Sequence, residues 1–206
     1  MVQRAVLDME RASELYTRVS GREIVKEIVP DTESAGKSPV LETPRLLLRE
    51  MDVGDLDFIA SLLADPEVMR FFPKTYSREE AAAWVRRQQE RYARDGYGYW
   101  LALEKATGAP VGQAGLIALE VDGAPELGIG YIIGGSYWRR GLATEAAAAC
   151  RDHAFARLGK ARVITLIRPE NAPSLGVAAK LDMRPEKRTM FAGFEHLVLV
   201  ATRQGV

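Results

Sequence analysis

A layered α/β fold around a mixed sheet is what this sequence predicts, and three observations carry that prediction. Apolar alternation and β-branched runs mark an opening strand, a three-strand meander and further strands toward the end. Helical periodicity with recognisable end signals marks helices between them. The order is strand, two helices, meander, then helix–strand–helix–strand, which combines hairpins with crossovers and so gives a mixed sheet with helices packed on it.

The elements follow from the residues in order. Residues 1–20 place Val6, Met9, Leu15 and Val19 near helical spacing. Gly21, Pro30, Asp31, Ser34, Gly36 and Ser38 then supply linker chemistry. Residues 1–38 therefore read as an extension of unassigned role, a docking arm among the options, and residues 39–206 as one domain. Arg45–Arg49 reads as the first strand. Asp55–Arg70 reads as a helix, striped by Leu56, Ile59, Leu62 and Leu63. Ser77-Arg-Glu-Glu80 is a capping box that starts a helix running to about Arg94. Tyr99–Glu104 and Gly112–Leu119 read as strands joined by the Thr107–Pro110 turn, and Glu126–Ile133 as a third, interrupted by Gly128 and Gly130. Leu142–Leu158 reads as a helix with Gly159 as its C-cap. Arg162–Ile167 is a strand of the buried kind, Pro173–Leu181 a short helix, and Thr189–Thr202 one or two closing strands.

Composition narrows the function classes. The 206 residues hold 28 basic and 28 acidic side chains, so no net field favours nucleic acid or anionic lipid as a partner. An apolar share of 47% is ample for one sizeable core. Cys150 is the single cysteine, which rules out an intramolecular disulfide; beside the run Ala146–Ala149 it reads as a small buried thiol. His153 and His196 are the two imidazoles, too few for a visible metal-ligand cluster, so no metal is expected. The first residues show no apolar signal core, and no window approaches the roughly 18 apolar residues of a membrane span. The expectation is a cytoplasmic protein.

The most informative segment is Tyr137-Trp-Arg-Arg-Gly-Leu-Ala-Thr-Glu-Ala146. A strand ends in Gly134-Gly135, a basic glycine-bearing loop follows, and a helix begins. Helix starts present unpaired N–H groups and the positive end of the dipole, which suits a diphosphate. Gly141 lets backbone approach an anion, and Arg139 and Arg140 add charge. A plain turn with solvated arginines is the competing reading. Neither a P-loop nor a dinucleotide fingerprint is present, so an ATP or NAD binder is disfavoured.

On these residues the chain resembles the GCN5-related N-acetyltransferase superfamily, and within it the Rim-type group that acetylates ribosomal-protein N-termini. The superfamily loop runs Gln/Arg-x-x-Gly-x-Gly/Ala; Gly141 and Ala143 match, with Trp138 in the Gln/Arg place. The Rim-type pattern Tyr-Trp-Gly-x-Gly-x-Ala-Thr-Glu-Ala is followed except at Arg139. Glu42-Thr-Pro-Arg-Leu-Leu-Leu-Arg49 and Asn171-Ala-Pro-Ser174, with Lys180 and Leu181 behind it, are similar too. The likeness spans about residues 40–202. It implies acetyl-CoA as cosubstrate, a primary amine as acceptor and direct transfer in a ternary complex. It also implies a mostly antiparallel sheet splayed at a bulged fourth strand, with Gly128 and Gly130 as the bulge. Backbone near Ile132 and Ile133 would then bind the pantetheine arm, and Arg139, Arg140, Gly141, Leu142, Ala143 and Thr144 the pyrophosphate. A catalytically silent CoA-binding sensor of the same fold is the alternative reading.

Acetyl transfer needs a neutral amine and a protonated leaving thiolate. An α-amine with pKa near ~8 costs about 1.4 kcal/mol to deprotonate at pH 7, a lysine amine about 4.6. Glu126 and Glu67 are the candidate bases, each against an ordinary surface role. The superfamily's proton-donating tyrosine, seven residues after Asn171, is here Ala178. By resemblance Ser174 takes that part, against a plain reading in which Asn171 caps a helix and Ser174 fills its first turn. Asn171 is also a candidate for bonding the cofactor arm. Asp182 stands where the family usually has glycine. Tyr97, Tyr99 and Trp100 are weighed as acceptor-site walls against simple packing, and apolar residues near Phe191 and Phe194 leave a homodimer open.

Overall fold

The computed structural model describes residues 38–203; the expected helix over residues 1–20 and its linker lie outside them. The elements are β1 (Leu41–Glu42), β2 (Leu46–Arg49), α1 (Leu56–Ala64), α2 (Arg78–Asp95), β3 (Tyr99–Glu104), β4 (Pro110–Val121), β5 (Ala124–Ile133), α3 (Leu142–Ala156), β6 (Arg162–Ile167), α4 (Ala172–Lys180), β7 (Arg184–Phe191) and β8 (Phe194–Thr202). Single 3-10 turns precede α1 and α3.

The strands form one sheet in the order β1-β2-β3-β4-β5-β6-β8-β7. Every pairing is antiparallel except β5 with β6, which is parallel. That parallel contact is registered at one pair, Gly128 with Ile164. Beyond it, toward Ile133, the two strands part. The β4–β5 ladder runs without a shift from Gly112↔Ile133 to Val121↔Ala124, so the expected bulge is absent from that side. Gly128 and Gly130 serve close packing instead: a Cβ on Gly130 would collide with the Tyr99 ring and hydroxyl, and one on Gly128 with Leu119.

Both faces of the sheet are covered. Val111–Leu116 of β4 is buried without a break, as a strand between two helical layers must be. On one face Leu142, Ala146, Ala147, Cys150 and Ala154 of α3 pack with Ala178 of α4 against Leu46, Leu48, Trp100 and Leu116. Cys150 is fully buried there, and desolvation pushes its thiol pKa up, so its role is packing. On the other face Ile59, Leu62 and Leu63 of α1 and Trp84 and Val85 of α2 pack against Met51, Leu101 and Ile132. A buried polar link fixes α2 to this face. Trp84 Nε1 donates to Gln113 Oε1 at 3.0 Å, and the Tyr99 N–H donates to Gln88 Oε1 at 3.1 Å.

Local rules set the ends. Ser77 caps α2 with Glu80 bonding back, and Gly96 closes it at φ 77°. The helix expected over Asp55–Arg70 stops at Ala64. Asp65 precedes Pro66, which disfavours helical backbone before it; Asp65 is extended, and its carboxylate accepts from the N–H groups of Glu67 and Val68. The closing strands are two, turned by Ala192 and Gly193, both at positive φ.

Adding a methyl at Gly115 would drive it into the backbone carbonyl of Gly98. Gly115→Ala is expected to destabilise the protein by about 3 kcal/mol, since backbone cannot retreat as a side chain can. Gly176 in α4 meets nothing within 4 Å, so Gly176→Ala is expected to stabilise by about 0.5–1 kcal/mol. Urea midpoints at unchanged slope test both.

Candidate active site

The parting of β5 and β6 opens a cavity of about 520 Å³. Strand alternation decides which backbone groups face it. The Gly134 N–H donates to Val111 C=O at 2.9 Å, which makes Gly112↔Ile133 a wide pair and turns the groups of Ile132 toward β4. Those of Tyr131 and Ile133 face the opening. Both Ile132 and Ile133 line the cavity, but the expectation that both present backbone groups to it narrows to Ile133, joined by Tyr131. The Ile133 carbonyl accepts the Trp138 indole N–H at 2.7 Å, so Trp138 ties the loop to the end of the strand.

The loop between β5 and α3 forms the cavity's far end. Gly141 holds φ 78° as the N-cap, and among the described residues no side chain caps the helix. Its first N–H groups thus stay available, in contrast to α2 and to α4, whose first turn receives Asn171 Oδ1 at 3.2 Å from the Ser174 N–H. Arg139, Gly141, Leu142, Ala143 and Thr144 all line the cavity. Arg140 does not: its guanidinium pairs with Glu104 and lies 5.6 Å over the Tyr137 ring. Arg139 sits at φ 60°, left-handed backbone that favours glycine and costs a non-glycine residue about 1 kcal/mol or more. The Rim-type pattern has glycine at this position.

The loop is fastened from behind. Glu145, in the first turn of α3, accepts from Thr43 Oγ1 at 2.6 Å, the Arg45 N–H at 2.8 Å and Arg45 Nε at 2.6 Å. Arg45 also donates to the Arg140 carbonyl at 2.8 Å. Burial alone would push the Glu145 carboxyl up, but these bonds outweigh it and hold its pKa below the ordinary value.

Arg70, Arg139 and Lys180 line the cavity against one acid, Glu67. Three cations, an uncapped helix start and backbone close to Gly141 fit a ligand with a diphosphate and a long arm. Among the described residues no group of three or more His, Cys, Asp or Glu could hold a metal ion.

A second cavity of about 200 Å³ lies on the α1–α2 side of the sheet. The two share Phe71, Phe72, Tyr131, Asn171 and Ser174 as walls. Ser174 is half-buried there, and its side chain interacts with the Tyr131 phenol. The Tyr131 hydroxyl donates to the Ser174 backbone carbonyl at 3.3 Å, and burial pushes its pKa up to about 12, so it stays protonated. Ala178, the position at which the resemblance looks for tyrosine, is buried in the core. Tyr131 is the phenol at this wall, and its place beside Gly130 in an alternating strand was the sequence signal for it.

The two candidate bases part company. Glu67 lines the first cavity, 76% exposed, with Arg70 Nη1 at 3.9 Å. Glu126 lines neither cavity; it accepts from Arg162 Nη2 at 2.9 Å, which Glu186 shares. Glu126 therefore stands apart from both cavities, in an ion pair with Arg162. Trp100 is fully buried in the core and Tyr97 packs half-buried at its edge. Tyr99 lines the second cavity.

Glu145→Gln removes the charge that holds the hairpin to the loop, with an expected loss of about 1–2 kcal/mol. The sign follows from a lowered folded pKa: this carboxylate's stabilisation is full above its unfolded pKa near ~4.3 and is lost as pH falls through the folded value. Acid unfolding curves should therefore be shallower on the acid side for the variant than for the wild type.

The acetyltransferase (GNAT) domain profile matches residues 45–184. A Bacillus subtilis (strain 168) protein, the uncharacterized YkkB, is 32% identical over 148 residues, covering 71% of this chain and 86% of its own. An acetyltransferase structure from Agrobacterium tumefaciens str. C58 superposes with TM-score 0.69 at 23% identity, covering 89% of this chain and 100% of its own. Mycobacterium smegmatis RimJ, solved with CoA-disulfide, superposes with TM-score 0.62 at 23% identity, covering 76% and 81%. The splayed sheet, the loop and these matches together place the chain in the GNAT acetyltransferase family, as an acyltransferase.

Proposed function

We propose that the protein moves an acetyl group from acetyl-CoA directly to a primary amine held in the same complex. The observation that carries this reading is the junction of two cavities at Ser174 and Tyr131. One cavity joins Arg70, Arg139 and Lys180 to an uncapped helix start and the other is walled mainly by aromatic and aliphatic side chains, so donor and acceptor can meet at the shared wall without a covalent enzyme intermediate.

Acetyl-CoA, when bound, supplies the acetyl group as a thioester and departs as the free thiol. The first N–H groups of α3, with Arg139, hold its diphosphate, and the backbone of Tyr131 beside the opening orients its arm. Asn171 fixes the start of α4 and so the position of Ser174. The amine nitrogen bonds to the acetyl carbon as the carbon–sulfur bond breaks, and the amine's proton leaves to solvent. The Ser174 hydroxyl gives its proton to the departing sulfur and recovers one from water. Tyr131 holds the serine's backbone in place.

Free-thiol release across an amine panel, with the product gaining one acetyl group by mass, tests the activity. Ser174→Ala is expected to lower kcat by about 100-fold with little change in KM for acetyl-CoA. Full kcat in Ser174→Ala, with the loss found instead in Tyr131→Phe, would make Tyr131 the proton donor.

A further inference from the structure

The second cavity differs from the first in what its walls lack. Its aromatic walls are Phe71, Phe72, Tyr99, Tyr131, Phe191 and Phe194, and among the described residues no carboxylate lines it. Arg168 is its one ionic side chain among the described residues. Arg168 is bound to Glu170, with Nε donating at 2.7 Å, and its guanidinium lies 4.2 Å over the Phe194 ring. That ring face is therefore closed to a ligand cation. His196 also lines the cavity. Its Nδ1 lies 3.0 Å from the Phe194 carbonyl, its ring stands edge-on to Phe191, and burial pushes its pKa down, so it is neutral at neutral pH.

A ligand with two or more ammonium groups would need a carboxylate for each beyond the one that reacts, because a buried unpaired charge is strongly disfavoured. Among the described residues this cavity supplies none, and the cation in its wall, Arg168, is already paired with Glu170. An apolar group of ring size finds the opposite: aromatic and aliphatic walls, with Ile117, Leu119 and Leu166 completing them. The Tyr99 hydroxyl, laid across Gly130, is one polar group on this side.

Resting on the acetyl-transfer reading, we infer that the second cavity takes a primary monoamine carrying one apolar, preferably aromatic, side group and no second cationic centre. Polyamines and multiply charged amino sugars are excluded as good acceptors.

The test uses the full chain with saturating acetyl-CoA and three probes: 2-phenylethylamine, ethylamine and spermidine. The expected result is a kcat/KM for 2-phenylethylamine at least about tenfold above both others, the low end of what burying a phenyl group contributes. Leu119→Glu, which puts a carboxylate in the wall at a half-buried site, is expected to narrow the ratio of 2-phenylethylamine to spermidine by at least about fivefold, with acetyl-CoA affinity unchanged. Equal or better use of spermidine by the wild type would overturn the inferred class and leave acetyl transfer standing. Acetyl-CoA binding without turnover of 2-phenylethylamine would also overturn the class. Failure to bind acetyl-CoA by calorimetry would overturn the acetyl-transfer reading itself, and the class with it.

Discussion

The single registered contact between β5 and β6 is the constraint on which the site depends. Backbone polar groups inside a protein need partners, and a sheet normally supplies them by continuing. Here it stops continuing after Gly128 and Ile164, in the middle of a layered domain with helices on both faces. The Tyr131 and Ile133 groups beyond that point open onto a cavity rather than onto a neighbouring strand. Trp138 satisfies one of them, at Ile133. Strand parting thus produces, at one stroke, a cavity of about 520 Å³ and oriented backbone groups along it.

The rest of the structure holds that slot open and aims it. α3 points an uncapped N-terminus at its far end, and Glu145 with Thr43 and Arg45 keeps that end in place from outside the slot. These bonds engage the acid of the first turn, so the Glu145 charge is turned to the hairpin side of α3. At the near end, the fixed first turn of α4 sets Ser174 at the wall between the two cavities. The cationic cavity and the mainly apolar one are thereby separated by a few side chains.

Much of this was legible in the sequence where a local rule governs. The Ser77 box, the Gly96 stop, the Tyr99–Glu104 and Arg162–Ile167 strands and the Gly141 turn all follow from the residues on the spot. What depends on distant partners was not legible. Nothing near Glu126 says that Arg162 will claim it, and nothing near Arg140 says that Glu104 will turn it away from the loop's ligand face. Ile132 and Ile133 were indistinguishable until the β4 register fixed which one faces outward. Two departures from the family pattern, Arg139 and Asp182, both stand at positive φ. The pattern's glycines mark backbone demands that this chain meets with other residues, at a cost in strain. The Pro66 stop was readable but masked by the apolar stripe that ran up to it.

The account stands or falls on whether the β5–α3 loop binds the donor's diphosphate. Calorimetric titration of acetyl-CoA into the wild type and into Gly141→Asp measures this most directly, since the variant adds bulk and negative charge at a left-handed position in the cavity wall, where an added Cβ would lie 3.4 Å from Arg45 Nη2. Binding in the micromolar range by the wild type, lost in a variant that keeps its far-ultraviolet dichroism, is the expected result. Equal affinity in both folded proteins, or no binding by the wild type, would contradict the account.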